Sequence, residues 1–303
     1  MIVVRLLGGL GNQMFQYAIG RSLSLKHGEE LRLDTSFYTY DHFWTTKREF
    51  RLNHFSISGN VIQKPRISSS LLSLFCQAAW KHSDMVHTMY NRILGCVPCP
   101  TDGLFYVHER IAESHPEFLE CSDIYLDGNW QSEKYFQAFS SQIREDFKII
   151  TPPSPENRKW IDFISTHNSV CLHVRRGDYV TDPFVGKRHM GTCSLEYYSR
   201  AIDYLSDKID NPVFIVFSDD IPWVRENLQI SYPTYYMDHN DGSTDYEDMR
   251  LMSVCDHFIT ANSSFSWWGA WLGDDDDKIV VCPEMWYADG TMVEIIPDRW
   301  VRM

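Results

Sequence analysis

Short apolar runs recur along this chain, and longer segments with helical periodicity lie between them. Residues 2–7, 31–34, 124–126, 169–174, 213–217, 234–237, 257–260 and 279–282 are such runs, and their β-branched content predicts buried strands. Phe15, Ala18, Ile19, Ser22 and Leu23 share one face of a helix that closes near Gly28. Leu195, Tyr198, Ile202, Leu205 and Ile209 do the same over 194–209, and 246–254 predicts another helix. Ser218-Asp219-Asp220 caps a further one, with Pro222 in its first turn. Strands alternating with helices of this length imply parallel sheets and the α/β class. Clustered prolines at 151–156 resist both helix and sheet, and this linker divides the chain into domains 1–152 and 153–303. Segment 71–80 is apolar but too short to cross a bilayer, and predicts a helix covering the first domain.

The chemistry gathers where strands end. Ser169-Val-Cys-Leu-His-Val-Arg-Arg-Gly-Asp-Tyr179 runs from a buried strand straight into two arginines. Guanidinium groups there are costly unless an anion meets them, and the carboxyl ends of parallel strands are where ligands bind. Alternation sends Arg175 to the side of Cys171 and His173 and Arg176 to the other, so one can face a ligand while the other holds the local architecture. Gly177 permits the exit, and Asp178 is placed to brace an arginine. The plainer alternative is a surface turn with an exposed ion pair.

Asn262-Ser263-Ser264 opens a helix directly after another strand, where backbone N–H groups and hydroxyls form an anion cradle. Serines also cap helices with no ligand present. Together with Arg175, and with Trp267, Trp268 and Trp271 behind, the two features point to a diphosphate site. At the first strand end, Gly8-Gly-Leu-Gly-Asn-Gln13 departs from a dinucleotide fingerprint at Met14. It offers close backbone approach and the amides of Asn12 and Gln13; a tight turn with Asn12 capping the helix is the equal alternative. The aromatic, amide-rich stretch 127–136 suits either a carbohydrate surface or a core edge.

Composition narrows the classes. A chain of 303 residues with 44% hydrophobic content packs two domains comfortably, and a net charge of −13 argues against nucleic acid as a partner. An anionic ligand must then be met locally by a few arginines. The eight cysteines are scattered, with Cys171, Cys255 and Cys282 in apolar surroundings, the usage of a reduced cytosolic protein. Cys96 and Cys99 form a CxxC without a second pair, so no zinc site is expected. The first residues read as a strand and not as a targeting segment, and Asp274–Asp277 as a solvated loop.

Gly8-Gly-Leu-Gly-Asn-Gln-Met-Phe-Gln-Tyr17, Trp130-Gln-Ser-Glu-Lys-Tyr-Phe136, His173-Val-Arg-Arg-Gly-Asp-Tyr179, Phe217-Ser-Asp-Asp220 and Ala261-Asn-Ser-Ser-Phe-Ser-Trp-Trp-Gly-Ala-Trp271 stand in this order. Together they resemble the bacterial α-1,2-fucosyltransferases, almost end to end. The resemblance implies a GT-B-like fold, two Rossmann-like domains facing a cleft. It implies GDP-β-L-fucose as donor, the 2-hydroxyl of a terminal β-galactoside glycan as acceptor, and inversion. By similarity Arg175 would contact the β-phosphate, Ser263 and Ser264 the diphosphate, and His173, Ser218 and Asp219 the nucleoside. Arg176, Asn262 and Phe265 complete the expected donor side. Gly11, Asn12, Gln13, Trp130 and Gln131 form the expected acceptor side, although Asn129 stands where the family pattern has an aromatic residue. Arg175, Asp178, Asn12 and Gln13 are the expected catalytic set, with Asp178 orienting an arginine and not acting as base.

No metal and no cofactor are expected, because no Asp-x-Asp sits at a strand end and arginine takes the cation's place. The implied setting is the cytoplasm, with peripheral association at the inner membrane, where a lipopolysaccharide O-antigen glycan is assembled. A nucleotide-sugar hydrolase or epimerase, or a non-catalytic sugar-binding module, are the alternatives left by the residues.

Overall fold

A computed structural model describes residues 1–39, 48–63, 104–109, 116–181, 191–273, 277–288, 290 and 294–303, with the side chains of Phe105, Tyr106 and Asp178 outside that set. The expected helix at 71–80, the Cys96–Cys99 pair and residues 274–276 of the acidic run lie outside the described residues. The chain divides into two compact units, Met1–Lys148 and Ile149–Met303.

In the first unit, β1 (Ile2–Arg5), β2 (Leu31–Asp34), β3 (Asn60–Ile62), β4 (Phe105–His108) and β5 (Ile124–Asp127) form a sheet in the order β3-β2-β1-β5-β4. All its pairings are parallel, with Val4 opposite Leu33 on one side and Leu126 on the other. The long helix α1 (Leu10–His27) returns from β1, and α2 (Ser140–Asp146) packs beyond it. One apolar face is expected of α1, but it is buried nearly all round, Gln13 and Gln16 included. Buried amides are tolerated because each is hydrogen-bonded, and here the backbone supplies the partners. On its far side Tyr17 Oη donates to Asp146 Oδ2 at 2.6 Å while accepting from the Ser58 N–H, and Arg21 Nε reaches the same carboxylate oxygen at 2.8 Å. Burial, aided by that carboxylate, pushes the Tyr17 phenol far above its ordinary range.

The second unit holds α3 (Pro155–Ile164), β6 (Ser169–Val174), α4 (Gly177–Thr181), α5 (Leu195–Ser206), β7 (Val213–Ser218) and α6 (Ile221–Asn227). Then come β8 (Thr234–Tyr236), α7 (Asp245–Ser253), β9 (His257–Ile259), α8 (Ser264–Leu272), β10 (Val280–Cys282) and β11 (Val301–Arg302). Its sheet runs β11-β10-β9-β6-β7-β8, again wholly parallel. Val170, Leu172 and Val174 alternate onto one face with Phe214, Val216, Ile259 and Val281, and Tyr198, Ile202 and Leu205 of α5 cover them. Only the first part of the proline-rich stretch is irregular: Pro155 and Glu156 already belong to α3, whose N-cap Ser154 accepts from the Asn157 N–H at 3.1 Å. A proline costs a helix nothing in its first turn, where its missing N–H has no partner to lose.

These are the α/β class and the two Rossmann-like units expected from the sequence. In each, consecutive strands leave the centre on one side and the chain then returns to the other. The reversal falls between β1 and β5 in the first unit and between β6 and β9 in the second, and ligands bind at such switch points in open parallel sheets.

Candidate functional site

At the switch point of the second unit, Arg175 follows the last residue of β6. Its Nη1 pairs with Asp219 Oδ2 at 2.9 Å, and the other oxygen of that carboxylate accepts from the Arg176 N–H at 2.8 Å. One side chain thus fixes both the backbone leaving β6 and the guanidinium it carries. Asp219 can do this because β6 and β7 pair in register, Val174 opposite Ser218. The approach is close: a Cβ on Gly177 would lie 2.3 Å from Asp219 Oδ2, so only glycine fits there. The Tyr179 ring lies 5.3 Å from the Arg175 guanidinium, and its hydroxyl donates to the Asn262 carbonyl at 3.3 Å, joining α4 to the turn after β9.

Arg176 points elsewhere, as strand alternation requires. Its guanidinium lies 3.6 Å from the centre of the Trp223 ring, and Nε bonds Asp220 Oδ2 at 3.2 Å. Asp220 also caps α6 by accepting from the Trp223 N–H, and its own N–H donates to Ser218 Oγ. The Trp223 ring and Asp220 thus hold the Arg176 side chain in place. Asp178 lies in α4 with its side chain outside the described residues. The described carboxylates that brace the arginines are Asp219 and Asp220, far along the chain but brought adjacent by the sheet.

His173 is the penultimate residue of β6 and only 4% exposed. Its Nδ1 has no hydrogen-bond partner among the described residues. Burial lowers its pKa to about 4; Asp219 works against the shift and Arg175 adds to it. At neutral pH this is a neutral imidazole, 6.0 Å from the Phe265 ring. Phe265 and Ser264 stand half-buried in the first turn of α8, where Ser263 caps the helix by accepting from the Phe265 N–H. Asn262, expected on the donor side, makes contacts inside the protein. It is buried, its Nδ2 donates to the carbonyls of Gly191 and Trp286, and its Oδ1 accepts from Cys193 Sγ. It ties three segments together behind the serines. Trp267, Trp268 and Trp271 are core, with Trp267 Nε1 donating to the Ile295 carbonyl at 2.7 Å.

In the first unit the glycine loop after β1 meets the loop after β5. The N-cap of α1 is Gly9, without side-chain help, so of the two alternatives for Asn12 the capping one is not adopted. Asn12 Oδ1 instead accepts from Gln131 Nε2 at 2.9 Å. Gln13 is wholly buried: Nε2 donates to the carbonyls of Gly8 and Glu49, and Oε1 accepts from the Arg51 N–H. Trp130 is wholly buried too, packed on Phe118 and Tyr135. Both were expected on the acceptor side and both are interior here, because an amide and an indole serve a core as readily as a sugar. Gly11 is buried backbone of α1.

Two residues escaped the sequence reading. Gln16 accepts from the Leu7 N–H and donates to the Gly128 carbonyl, latching the two loops. Glu109 holds the backbone of the second loop. For Gln16 the available signal was a polar residue within an otherwise buried helical stretch; for Glu109 there was none. Among the described residues no group of three or more His, Cys, Asp and Glu could hold a metal ion, and no helix is long and apolar enough to cross a membrane.

Comparison with known proteins fits this geometry. The model of Glycosyl transferase family 11 matches residues 108–303. An alpha-1,2-colitosyltransferase of Escherichia coli is 33% identical, covering 100% of this chain and 99% of its own. The O-antigen biosynthesis glycosyltransferase WbnK of Escherichia coli is also 33% identical, over 98% of this chain and 99% of its own. Galactoside alpha-(1,2)-fucosyltransferase 2 of Hylobates lar is 24% identical, over 91% and 70%. Full-length similarity at this level, with the double-arginine and tryptophan motifs at the switch point, leaves one conclusion: the chain belongs to glycosyl transferase family 11.

Proposed function

We propose that this glycosyltransferase moves L-fucose from GDP-β-L-fucose to the 2-hydroxyl of a terminal galactose, with inversion and without a metal ion. The observation that carries the reading is the cationic end of β6. There Arg175 is held at its Asp219 brace, next to a buried neutral His173 and the capped start of α8. Breaking the fucosyl–phosphate bond sends its electron pair to the β-phosphate oxygen and leaves an oxocarbenium-like sugar. A fixed guanidinium and helix N–H donors stabilise that leaving charge without reorganising. The acceptor oxygen then bonds C1 from the opposite face and, once the bond to the leaving group is broken, gives up its proton to water.

His173, through its buried ring nitrogen, and Ser218 serve the nucleoside in this reading, and Asn12 serves the sugar. Asp178 orients an arginine and does not take the acceptor's proton. Asp178→Asn then lowers donor hydrolysis and transfer together; transfer lost alone, with hydrolysis intact, would make it the base. The name of the O-antigen relative supports an O-antigen glycan as the acceptor, and in this reading the reaction takes place in the cytoplasm at the inner membrane.

A second donor has a specific observation behind it, the full-length relative named for colitose, a sugar that is L-fucose without its 3-hydroxyl. The deciding experiment supplies GDP-fucose or GDP-colitose to the purified chain with a panel of β-galactosides, and reads products by mass spectrometry with and without lactose. Fucosylated galactoside supports the first reading and colitosylated product alone the second. Free sugar with no transfer would point to a hydrolase. A site that bonds the 3-hydroxyl rejects the deoxy donor by about 10⁴-fold or more, whereas one that does not will use both.

A further inference from the structure

The loop after β5 is bent into a shape that its sequence does not favour. Trp130 has φ +55°, a left-handed backbone that bulky residues rarely adopt, and Gly128 has φ +154°. Conformations of this kind persist only where the surroundings over-determine them, and they gather at functional sites. Here the determinant is Glu109, just beyond β4. Its Oε2 accepts from the Asn129 N–H at 2.7 Å and its Oε1 from the Trp130 N–H at 2.8 Å, so one carboxylate holds two successive amides. A Cβ on Gly128 would lie 2.4 Å from the Glu109 Cβ, which makes the glycine a condition of the clamp.

The end of β5 and the bent loop are latched to β1 and to the first turns of α1 in three places. Arg5 Nη1 bonds Asp127 Oδ2 at 3.0 Å, Gln16 Nε2 donates to the Gly128 carbonyl at 3.1 Å, and Gln131 Nε2 donates to Asn12 Oδ1 at 2.9 Å. The last has a consequence for chemistry. An asparagine amide offers an acceptor at one end and two donors at the other, and only its partners decide which end points where. With its oxygen pinned to Gln131, Asn12 directs its NH₂ to the opposite side.

We propose that Glu109 and Gln131 are positioning residues for sugar transfer: Glu109 sets the loop that carries Gln131, and Gln131 fixes the orientation of the Asn12 amide. This rests on the reading that Asn12 serves the sugar. The role separates from simple support by polarity. Gln131→Glu can still hydrogen-bond Asn12, but as an acceptor, and therefore turns the amide round. Gln131→Ala leaves it without that partner.

The test measures kcat and KM for acceptor and for donor in the wild-type chain, Gln131→Glu, Gln131→Ala, Glu109→Gln and Glu109→Ala, each checked by thermal unfolding. Gln131→Glu is expected to lose on the order of 10²-fold in acceptor kcat/KM, the scale of a misplaced binding group. It should lose more than Gln131→Ala, and transfer should fall further than acceptor-independent donor hydrolysis. Glu109→Gln, which keeps one acceptor oxygen, should retain more than Glu109→Ala. Gln131→Glu as active as the wild type, or donor and acceptor constants falling in parallel in every variant, would overturn the proposal. A wild-type chain silent with both GDP-sugars fails the donor reading instead. The amide is then read by NMR through the Asn12 NH₂ pair, assigned by its loss in Asn12→Asp. That pair must shift in Gln131→Glu and in Glu109→Ala; unchanged signals in both would equally overturn the proposal.

Discussion

Arg175 owes its place to a carboxylate on the neighbouring strand, and the chemistry proposed for it depends on shape as much as on charge. The guanidinium has a planar fork that can hold Asp219 and a phosphate oxygen at once; an ammonium is a point charge with a different reach. Arg175→Lys is therefore expected to lose about 10²–10³ in kcat, as for the removal of one preorganised donor to a developing anion. Near-normal turnover in a folded Arg175→Lys protein would sink that role. His173 carries a second consequence. Its pKa is about 4 when folded against an ordinary 6.5, so between those values the unfolded chain binds a proton that the folded chain refuses. Its contribution to stability is whole above pH 6.5 and is lost as pH falls towards 4. Asp248, raised to about 7 by burial, works in the opposite sense, its contribution fading as pH rises through neutrality. Thermal unfolding across pH 6.5 to 4 should show a shallower fall in His173→Gln than in the wild type. An equal slope in both proteins would show that His173 titrates normally.

At the scale of elements, α8 joins two tasks at one terminus. Ser263 satisfies an orphan N–H of the first turn, and the same turn presents the donors proposed to meet the diphosphate. The tasks separate under substitution. Ser263→Ala should lower stability by about 1 kcal/mol and weaken donor binding as well. Ser263→Asp keeps a capping oxygen and the helix, but sets a negative charge where the phosphate is proposed to lie. Denaturant unfolding near the wild-type midpoint with donor binding abolished is the expected outcome, and unimpaired donor binding in that variant would remove the diphosphate from α8. Helix α1 teaches a related lesson. Gln13 and Gln16 lie inside it because the loops after β1 and β5 have backbone groups with no strand partner, and a buried amide can serve a donor and an acceptor at once.

For the whole molecule, the net charge of −13 makes a general attraction for an anionic donor untenable, so affinity must come from the few local donors at the end of β6 and the start of α8. If those groups replace a metal, transfer should continue in excess EDTA. Activity that disappears on chelation and returns with manganese would mean that the arginine has not taken the cation's place. The two units repeat one plan, a parallel sheet with a strand-order reversal, and each carries its candidate residues at the reversal. This follows from sheet geometry: only there do the loops at the carboxyl ends diverge and leave room for a ligand.

Sequence by itself determined the elements that local forces make. The apolar runs became strands, Ser194 and Asp220 capped helices, and Ser263 opened α8 directly after a strand. In these cases the decisive interactions lie within a turn or two of the residue concerned. The family, and with it the glycosyltransferase class, was also legible, because the double-arginine and tryptophan motifs carry side-chain combinations that a generic α/β domain does not need. Tertiary structure alone decided which carboxylate meets which arginine. Asp219 and Asp220, more than forty residues along the chain, are set against the arginines by the register of β6 and β7. It alone decided that Gln13, Trp130 and Asn262 turn inward while Asn12 is held by Gln131. Amides and indoles satisfy a buried backbone and a ligand with the same atoms, so their composition cannot say which they serve. That is settled only when distant strands come side by side and their unpaired N–H and C=O groups must find partners.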